Sequence, residues 1–482
     1  MLKSISGNLF IAFFFSLIVA FFLEFEEIQE VLRVESKYEY TDDIFVYLFG
    51  LIVFFATTFI VFSQSLCRQY FIVTPTFLFW VLFIAMVFPG VVLTKETNSS
   101  IGPYFYFFSA ILFSIGVVFA SFLLKFKKTI EHKHFKEMVI ESSFLNYHER
   151  IYLKLVLIVS IFAVFGLQAL SSQNYFLGVN VTAALLQSGI SEFGVIQGQR
   201  EDIYLSGLGV ADYILRYLIR VVLPIAIFAL FIDARSRNYK FEKFILLMLF
   251  AFCLLIAFGS GSRMFLMHLL TISSIVYFFY NSLSKTILLK FFTIFMSLLV
   301  FSTVILGRFF VTGYSPIQVI FMAINRVFER IFLTKGVVTS YVFEYFPKIH
   351  PFLNGESFLQ SLLGNINNEK PLSQLMFSHI VGGNGTAGPQ SFGELYANFG
   401  LAGLMFCFVI GFLLQVISIS MIRIKKISPL KTAYIAYFVF LFGLMGYGKL
   451  LAFKTYGIHV LLVFITFNFI FISAIKYATK KT

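Results

Sequence analysis

The sequence predicts an all-α polytopic membrane protein of about 12 transmembrane helices, and three observations carry that reading. The 482 residues are 59% hydrophobic and only 13% charged, too little charge to cover a soluble chain of this size. Mean hydropathy is +0.89. Apolar runs long enough to cross a bilayer recur along the whole length. A single helical bundle over 1–482 therefore fits better than a set of soluble domains.

The runs fall near 5–23, 44–64, 71–93, 103–124, 151–169, 209–232, 241–258, 264–283, 288–308, 394–420, 430–447 and 456–477. The first lacks a small-residue cleavage site and is followed by acidic residues, so it reads as a span and not a removed signal. Orientation follows from lysine and arginine. Lys125, Lys127, Lys128, Lys133 and Lys136 crowd one connection, Arg235, Arg237, Lys240 and Lys243 a second, and Arg423, Lys425, Lys426 and Lys431 a third. Those connections are assigned to the cytoplasm together with both termini. The net charge of +13 is then mostly a record of orientation, and no nucleic-acid partner is expected. Cys67, Cys253 and Cys407 lie in or beside spans without metal-ligand spacing, which argues against a disulfide framework and against a zinc site.

Two external loops are large, 170–208 and 309–393. The second contains amphipathic surface helices. Ser315-Pro316-Ile317-Gln318 is a capping box with proline at the first helical position, and an apolar stripe follows over 316–333. Arg326 and Arg330 share its polar side, either as an interfacial anchor paired with Glu329 or as ligands for an anion.

Arginine also appears where it is costly. Arg216 and Arg220 lie inside the sixth span, about 10 and 16 Å from its outer end at 1.5 Å per residue. An arginine near mid-span costs about 2.5–3.5 kcal/mol on insertion scales, so either snorkelling and Asp212 or a bound anion must offset it. Arg263 follows Gly259-Ser260-Gly261-Ser262 at the mouth of the eighth span, where backbone N–H groups at a helix start favour an anion. Arg308 ends the ninth span on the same side, and Arg200 belongs to the loop 170–208. These arginines form an outer basic cluster that orientation alone does not predict, and a lipid pyrophosphate would satisfy it.

Candidate bases are Glu394, Glu356 and His379, all external and beside polar or glycine-rich stretches. Ser391-Phe392-Gly393-Glu394 also reads as a capping box, in which Glu394 only closes a helix start. No Walker loop, zincin motif, nucleophile elbow or dinucleotide glycine pattern stands out.

The segment Gly393-Glu394-Leu395-Tyr396-Ala397-Asn398-Phe399-Gly400 resembles the entry helix of the Wzy-type O-antigen polymerases, the oligosaccharide repeat unit polymerase family. Gly355-Glu356-Ser357, Lys370-Pro371 and Gly261-Ser262-Arg263 are similar too, as is the layout of a dozen spans with two large periplasmic loops. The resemblance implies a glycosyltransferase of the bacterial inner membrane that joins undecaprenyl-pyrophosphate-linked repeats, donor to acceptor, into surface polysaccharide such as the O-antigen of lipopolysaccharide. A flippase and a chain-length regulator would be its partners. The energy resides in the sugar–pyrophosphate bond, so no cofactor and no metal is expected. Arginines and Lys370 would face the pyrophosphate, a carboxylate or His379 would take the hydroxyl proton, and Asn398 and Tyr396 would meet the glycan. An O-antigen ligase and a lipid-linked oligosaccharide flippase are the rival readings. Transport is disfavoured because ionisable residues gather at the outer face and not at the midplane.

Overall fold

The computed structural model describes residues 44–67, 69–92, 101–168, 214–215, 217–259, 263–281, 333–363, 370–381, 387–451 and 456–481, with a few isolated positions between them. In chain order its helices are α1 (Ile44–Ser65), α2 (Pro75–Met86), α3 (Phe88–Val92), α4 (Ile101–Leu123), α5 (Lys128–Glu141) and α6 (Tyr147–Gln168). A π-helical turn, Leu218–Val222, leads into α7 (Leu223–Ser236), α8 (Lys240–Gly259) and α9 (Arg263–Tyr280). Then come α10 (Thr334–Tyr345), α11 (Glu356–Leu363), α12 (Leu372–Val381), α13 (Ser391–Phe399), α14 (Gly403–Ile422), α15 (Pro429–Gly443) and α16 (Ile458–Lys481).

Among the described residues there are no strands, and five segments are long and apolar enough to cross a membrane: Leu48–Ser65, Ile101–Leu123, Tyr147–Leu167, Ser391–Ile422 and Pro429–Gly446. Large apolar side chains such as Phe122, Phe162 and Met405 are exposed, as expected where the solvent is hydrocarbon. The protein is a helical membrane protein. The expected spans 5–23 and 288–308, the loop 170–208 and the surface helix 316–333 lie outside the described residues, save isolated positions.

The chain divides into two compact units. The first comprises residues 1–135, 325–424 and 439–455. Its centre is the pair α4–α14, and glycine sets how close they come. A Cβ on Gly116 would stand 2.2 Å from the Phe408 carbonyl oxygen, and one on Gly411 2.2 Å from that of Phe113. Small residues permit such backbone approach, which is how helices associate where no hydrophobic effect separates them from lipid. Polar contacts run alongside: Gln415 Nε2 donates to Ser121 Oγ at 2.9 Å, and Thr76 Oγ1 lies 2.9 Å from Ser418 Oγ. An aromatic core of Phe79, Trp80, Phe83, Phe113 and Phe392 fills the space toward α2 and α13.

One expected span is broken, and a second is bent at Gly400 while still lying within the single crossing segment Ser391–Ile422. The run 71–93 forms α2 and α3, with Thr74 Oγ1 accepting from the Phe77 N–H and Pro75 opening the helix. The run 394–420 splits into α13 and α14 because Gly400 takes φ +58°, a left-handed conformation that closes α13 against Phe352. The connection 125–150, expected as a cytoplasmic loop, contains α5. Its Lys128 donates to the carbonyls of Phe62 and Ser63 at 2.9 and 2.8 Å, and so caps α1. Arg423 closes α4 through the Leu124 carbonyl and pairs with Glu131 at 2.8 Å. Basic residues that look in sequence like an orientation signal are thus also helix C-caps.

The second unit holds residues 136–324, 425–438 and 456–482. In it α7 packs on α6 and α8, α8 on α9, and α16 on α6. Pro224 has no N–H, so the Arg220 carbonyl loses its ordinary helical donor. The helix widens there: the N–H of Leu223 reaches back to Leu218, and the Tyr437 hydroxyl approaches the Arg220 carbonyl at 3.5 Å. Lys136 donates to the carbonyls of Phe278 and Asn281, capping α9.

Asp233, 1% exposed at its side chain, ties α6, α7 and the approach to α6 together. It accepts from Arg237 Nε at 2.9 Å and from the Leu145 N–H at 2.9 Å, and pairs with Arg150 at 3.2 Å. Arg150 continues to Glu242 at 2.6 Å. Removing one member of such a set strands the others, so Asp233→Ala is expected to cost about 3 kcal/mol in thermal unfolding in detergent. Asp233→Asn, which still accepts from Leu145, should lose visibly less.

Candidate functional site

Among the described residues of the first unit, one polar arrangement joins two stretches singled out in sequence, 354–357 and 393–400. Asn354 and Gly355 turn the chain with φ of 47° and 93°, the left-handed region that Asn and Gly tolerate. The extended approach then lies along α13: the N–H of Leu353 donates to Ala397 O and that of Asn354 to Asn398 O, both at 3.0 Å. Asn398 is fully buried and works in three directions. Its Oδ1 accepts from the Gly355 N–H at 3.0 Å, while Nδ2 donates to Ser357 Oγ and to the Glu394 carbonyl at 2.7 Å each.

Glu394 is the centre. Its side chain is on the buried face of α13, with the residue 1% exposed. One carboxylate oxygen accepts from the Ser357 hydroxyl at 3.1 Å and the other from the Leu450 N–H at 2.8 Å. Lys449 and Lys335 both act on this carboxylate electrostatically. The capping-box expectation for Ser391 and Glu394 is corrected. Gln390 is the N-cap and accepts from the Phe392 N–H at 2.8 Å, whereas Ser391 Oγ donates to the Met445 carbonyl at 2.8 Å. That leaves the Glu394 side chain facing the lysines.

Both lysines converge on Gly388. Lys335 Nζ donates to the Gly388 carbonyl, and a Cβ on Gly388 would meet Lys449 Cε at 3.2 Å. Lys335 also lies over the Tyr447 ring, 5.4 Å from its centre. Close packing fixes α10: Cβ atoms on Gly336 and Gly90 would each fall 2.2 Å from a carbonyl oxygen across the contact with α3. Thr339, one turn past Lys335, accepts from the Gln390 N–H at 3.0 Å, and Gln390 accepts from the Tyr106 hydroxyl at 3.0 Å. Burial, then the neighbouring Lys449 charge, pushes the Lys335 amine down to about 8, against the opposing pull of Glu394.

The other expected site residues are distributed as follows. Glu356 opens α11 beside Ser357 and is half-exposed. His379, near the end of α12, packs against Tyr345 at 4.9 Å and Tyr341 at 6.1 Å. Lys370 is exposed. Tyr396 is 3% exposed, with Phe343, Phe105 and Phe352 around its ring at 4.4, 5.2 and 5.7 Å, so its faces are covered by protein. Arg220, in the second unit, is half-buried on the π-helical turn and acts electrostatically on His268, Tyr437 and Tyr456. Arg263 begins α9. Arg200, Arg216, Arg308, Arg326 and Arg330, and the side chain of Arg263, lie outside the described residues.

Sequence reasoning missed Lys335, Lys449 and Gln390, and gave Ser357 no role beyond its place in the quoted motif. The lysines carried a signal: both stand on the side assigned as external, where the positive-inside tendency disfavours them. Among the described residues no cluster of histidine, cysteine and carboxylate side chains has the form of a metal site, and all three cysteines are buried thiols. Comparison with known proteins finds no family model, no curated protein and no solved structure that matches this chain.

Proposed function

We propose that this protein is a membrane glycosyltransferase that polymerises undecaprenyl-pyrophosphate-linked oligosaccharide repeats at the outer face of a bacterial inner membrane. About twelve spans would then place both termini in the cytoplasm and 309–393 outside. The observation that carries the proposal is the meeting of Gly355-Glu356-Ser357 with Gly393–Gly400 around a buried carboxylate and two lysines. These are the stretches on which the resemblance to the Wzy-type polymerases rests.

The charges suit the chemistry. With both lysines protonated, the cluster carries one positive charge in excess of the Glu394 carboxylate, which favours an anion such as a departing pyrophosphate. Glu394, with both oxygens occupied, fits a holding role: it fixes Ser357 and the backbone at Leu450. Glu356, half-exposed at the start of α11, and His379, on α12, would be suited to the glycan. The sequence expectation that Arg263, Arg200, Arg216, Arg220, Arg308, Arg326, Arg330 and Lys370 would meet the lipid pyrophosphate is kept as part of this proposal.

A strain deleted for the gene and complemented with it tests the reading. Surface glycan ladders should be restored by the wild type. Arg263→Ala should yield single-repeat caps without long chains at unchanged protein level. Loss of all capping in the deletion strain would point instead to a ligase or a flippase.

A further inference from the structure

We infer that Lys335 is the proton acceptor of the glycosyl transfer, a role distinct from that of its neighbour Lys449. The inference rests on the polymerase reading of this site and names a catalytic residue within it. Glu394 is poorly suited to abstract a proton, because Ser357 and the Leu450 N–H occupy its two oxygens and the residue is 1% exposed. Lys335 differs in having one fixed hydrogen-bond partner where Glu394 has two. It is half-buried, and its Nζ is steered by one backbone carbonyl, that of Gly388, and by the Tyr447 ring. A second lysine converges on the same glycine. A desolvated lysine beside another cation is the arrangement in which an amine gives up its proton and becomes available as a base.

Among the described residues the groups around it are few. Glu394 faces it from α13, Tyr447 and Lys449 from the segment after α15, and Tyr106 from α4 by way of Gln390. His379 of α12 lies against Tyr341 and Tyr345, which share α10 with the lysine. The helix α3, packed on α10 through Gly90, carries no titratable group. Among the described residues Glu394 opposes deprotonation by its charge, and burial outweighs it.

The step balances without a co-reactant. The acceptor hydroxyl oxygen bonds the anomeric carbon of the donor. The bond from that carbon to the pyrophosphate oxygen breaks, and its electron pair stays on the pyrophosphate. The hydroxyl proton passes to the lone pair of Lys335 Nζ. The amine thus becomes an ammonium as the anion departs, and it returns its proton to water before the next cycle.

The test uses the full chain in liposomes, with lipid-linked repeats extracted from a strain lacking the gene. The wild-type rate should climb between pH 6 and 8 and level off above about 8, because the neutral amine is the active form. Lys335→Arg keeps the charge and a donor for Gly388, so it should accumulate and elute as the wild type does. It should nevertheless run on the order of 100-fold slower, the scale of a lost general base, and lose the acid limb. Competitive acetylation of the wild type should give Lys335 a half-maximal reactivity near pH 8. Lys335→Arg at wild-type rate, or a wild-type rate falling as pH rises through 8, would overturn the assignment and leave the polymerase reading standing. A wild type that joins no repeats at any pH would overturn that reading and the inference with it.

Discussion

Glu394→Gln is expected to abolish long glycan chains while the protein still accumulates, and Glu394→Ala to lose accumulation as well. The amide has nearly the carboxylate's shape. Its oxygen can accept from the Leu450 N–H, and its NH2 can donate to Ser357 Oγ, so both contacts of the native side chain have a substitute. What it lacks is charge. With the counter-charge to Lys335 and Lys449 gone, the charge balance of the cluster shifts by one positive unit. Alanine removes the contacts too. It leaves a buried N–H, a buried hydroxyl and two ammonium groups uncompensated, a loss of about 3–5 kcal/mol by analogy with broken buried pairs. Glycan ladders with immunoblots of the same membranes read both effects. A wild-type ladder from Glu394→Gln would remove the carboxylate from the site.

The second large effect concerns the scaffold. Gly411→Ala should lower the thermal unfolding temperature of the purified protein sharply, and Gly411→Leu should prevent its recovery in folded form. A methyl group at this position starts 2.2 Å from the Phe113 carbonyl oxygen, with the Phe113 carbonyl carbon at 3.0 Å. Backbone cannot rotate aside as a flexible side chain does, so α4 and α14 must separate. Separation would strain the Gln415–Ser121 bond and open the aromatic core, at a cost of about 3 kcal/mol. Gly166 on α6 is the control: a Cβ there would meet no atom within 4 Å, so alanine should change little. Equal melting of Gly411→Ala and wild type would contradict the α4–α14 packing described above.

Hydrophobicity made the helical membrane class and several of the spans readable. Spans at 44–64, 103–124 and 151–169 correspond to α1, α4 and α6 within a few residues, because twenty apolar residues in lipid have few alternatives to a helix. The breaks were harder to foresee. Gly400 sits inside an apolar run where glycine is common, and only its left-handed φ, read from the folded chain, marks it as a helix end. Pro224 did carry a signal, since a proline four residues after Arg220 removes that carbonyl's donor, but whether the answer is a kink or a π turn is read only from the folded chain.

The site was half legible. Glu394, Asn398 and Glu356 stood out by residue type and by the motifs around them, and the folded chain brings those two segments together. Tyr396 looked equally suitable for stacking on a sugar, yet the same helix periodicity that presents Glu394 to the lysines turns Tyr396 into the Phe343–Phe105 core. Lys335 and Lys449 are far apart in sequence and stand in no motif. Their partnership is a product of the Gly90–Gly336 contact, which seats α10, and of the Leu450 N–H bond, which pins the segment after α15.

The most direct measurement of the central claim is made with purified protein in liposomes supplied with lipid-pyrophosphate-linked repeats. Chain length and free lipid pyrophosphate are followed together. Polymerisation predicts glycans that lengthen by whole repeats, with one lipid pyrophosphate released for each new bond. Repeats that cross the bilayer unjoined, or that remain single with no pyrophosphate released, would contradict it.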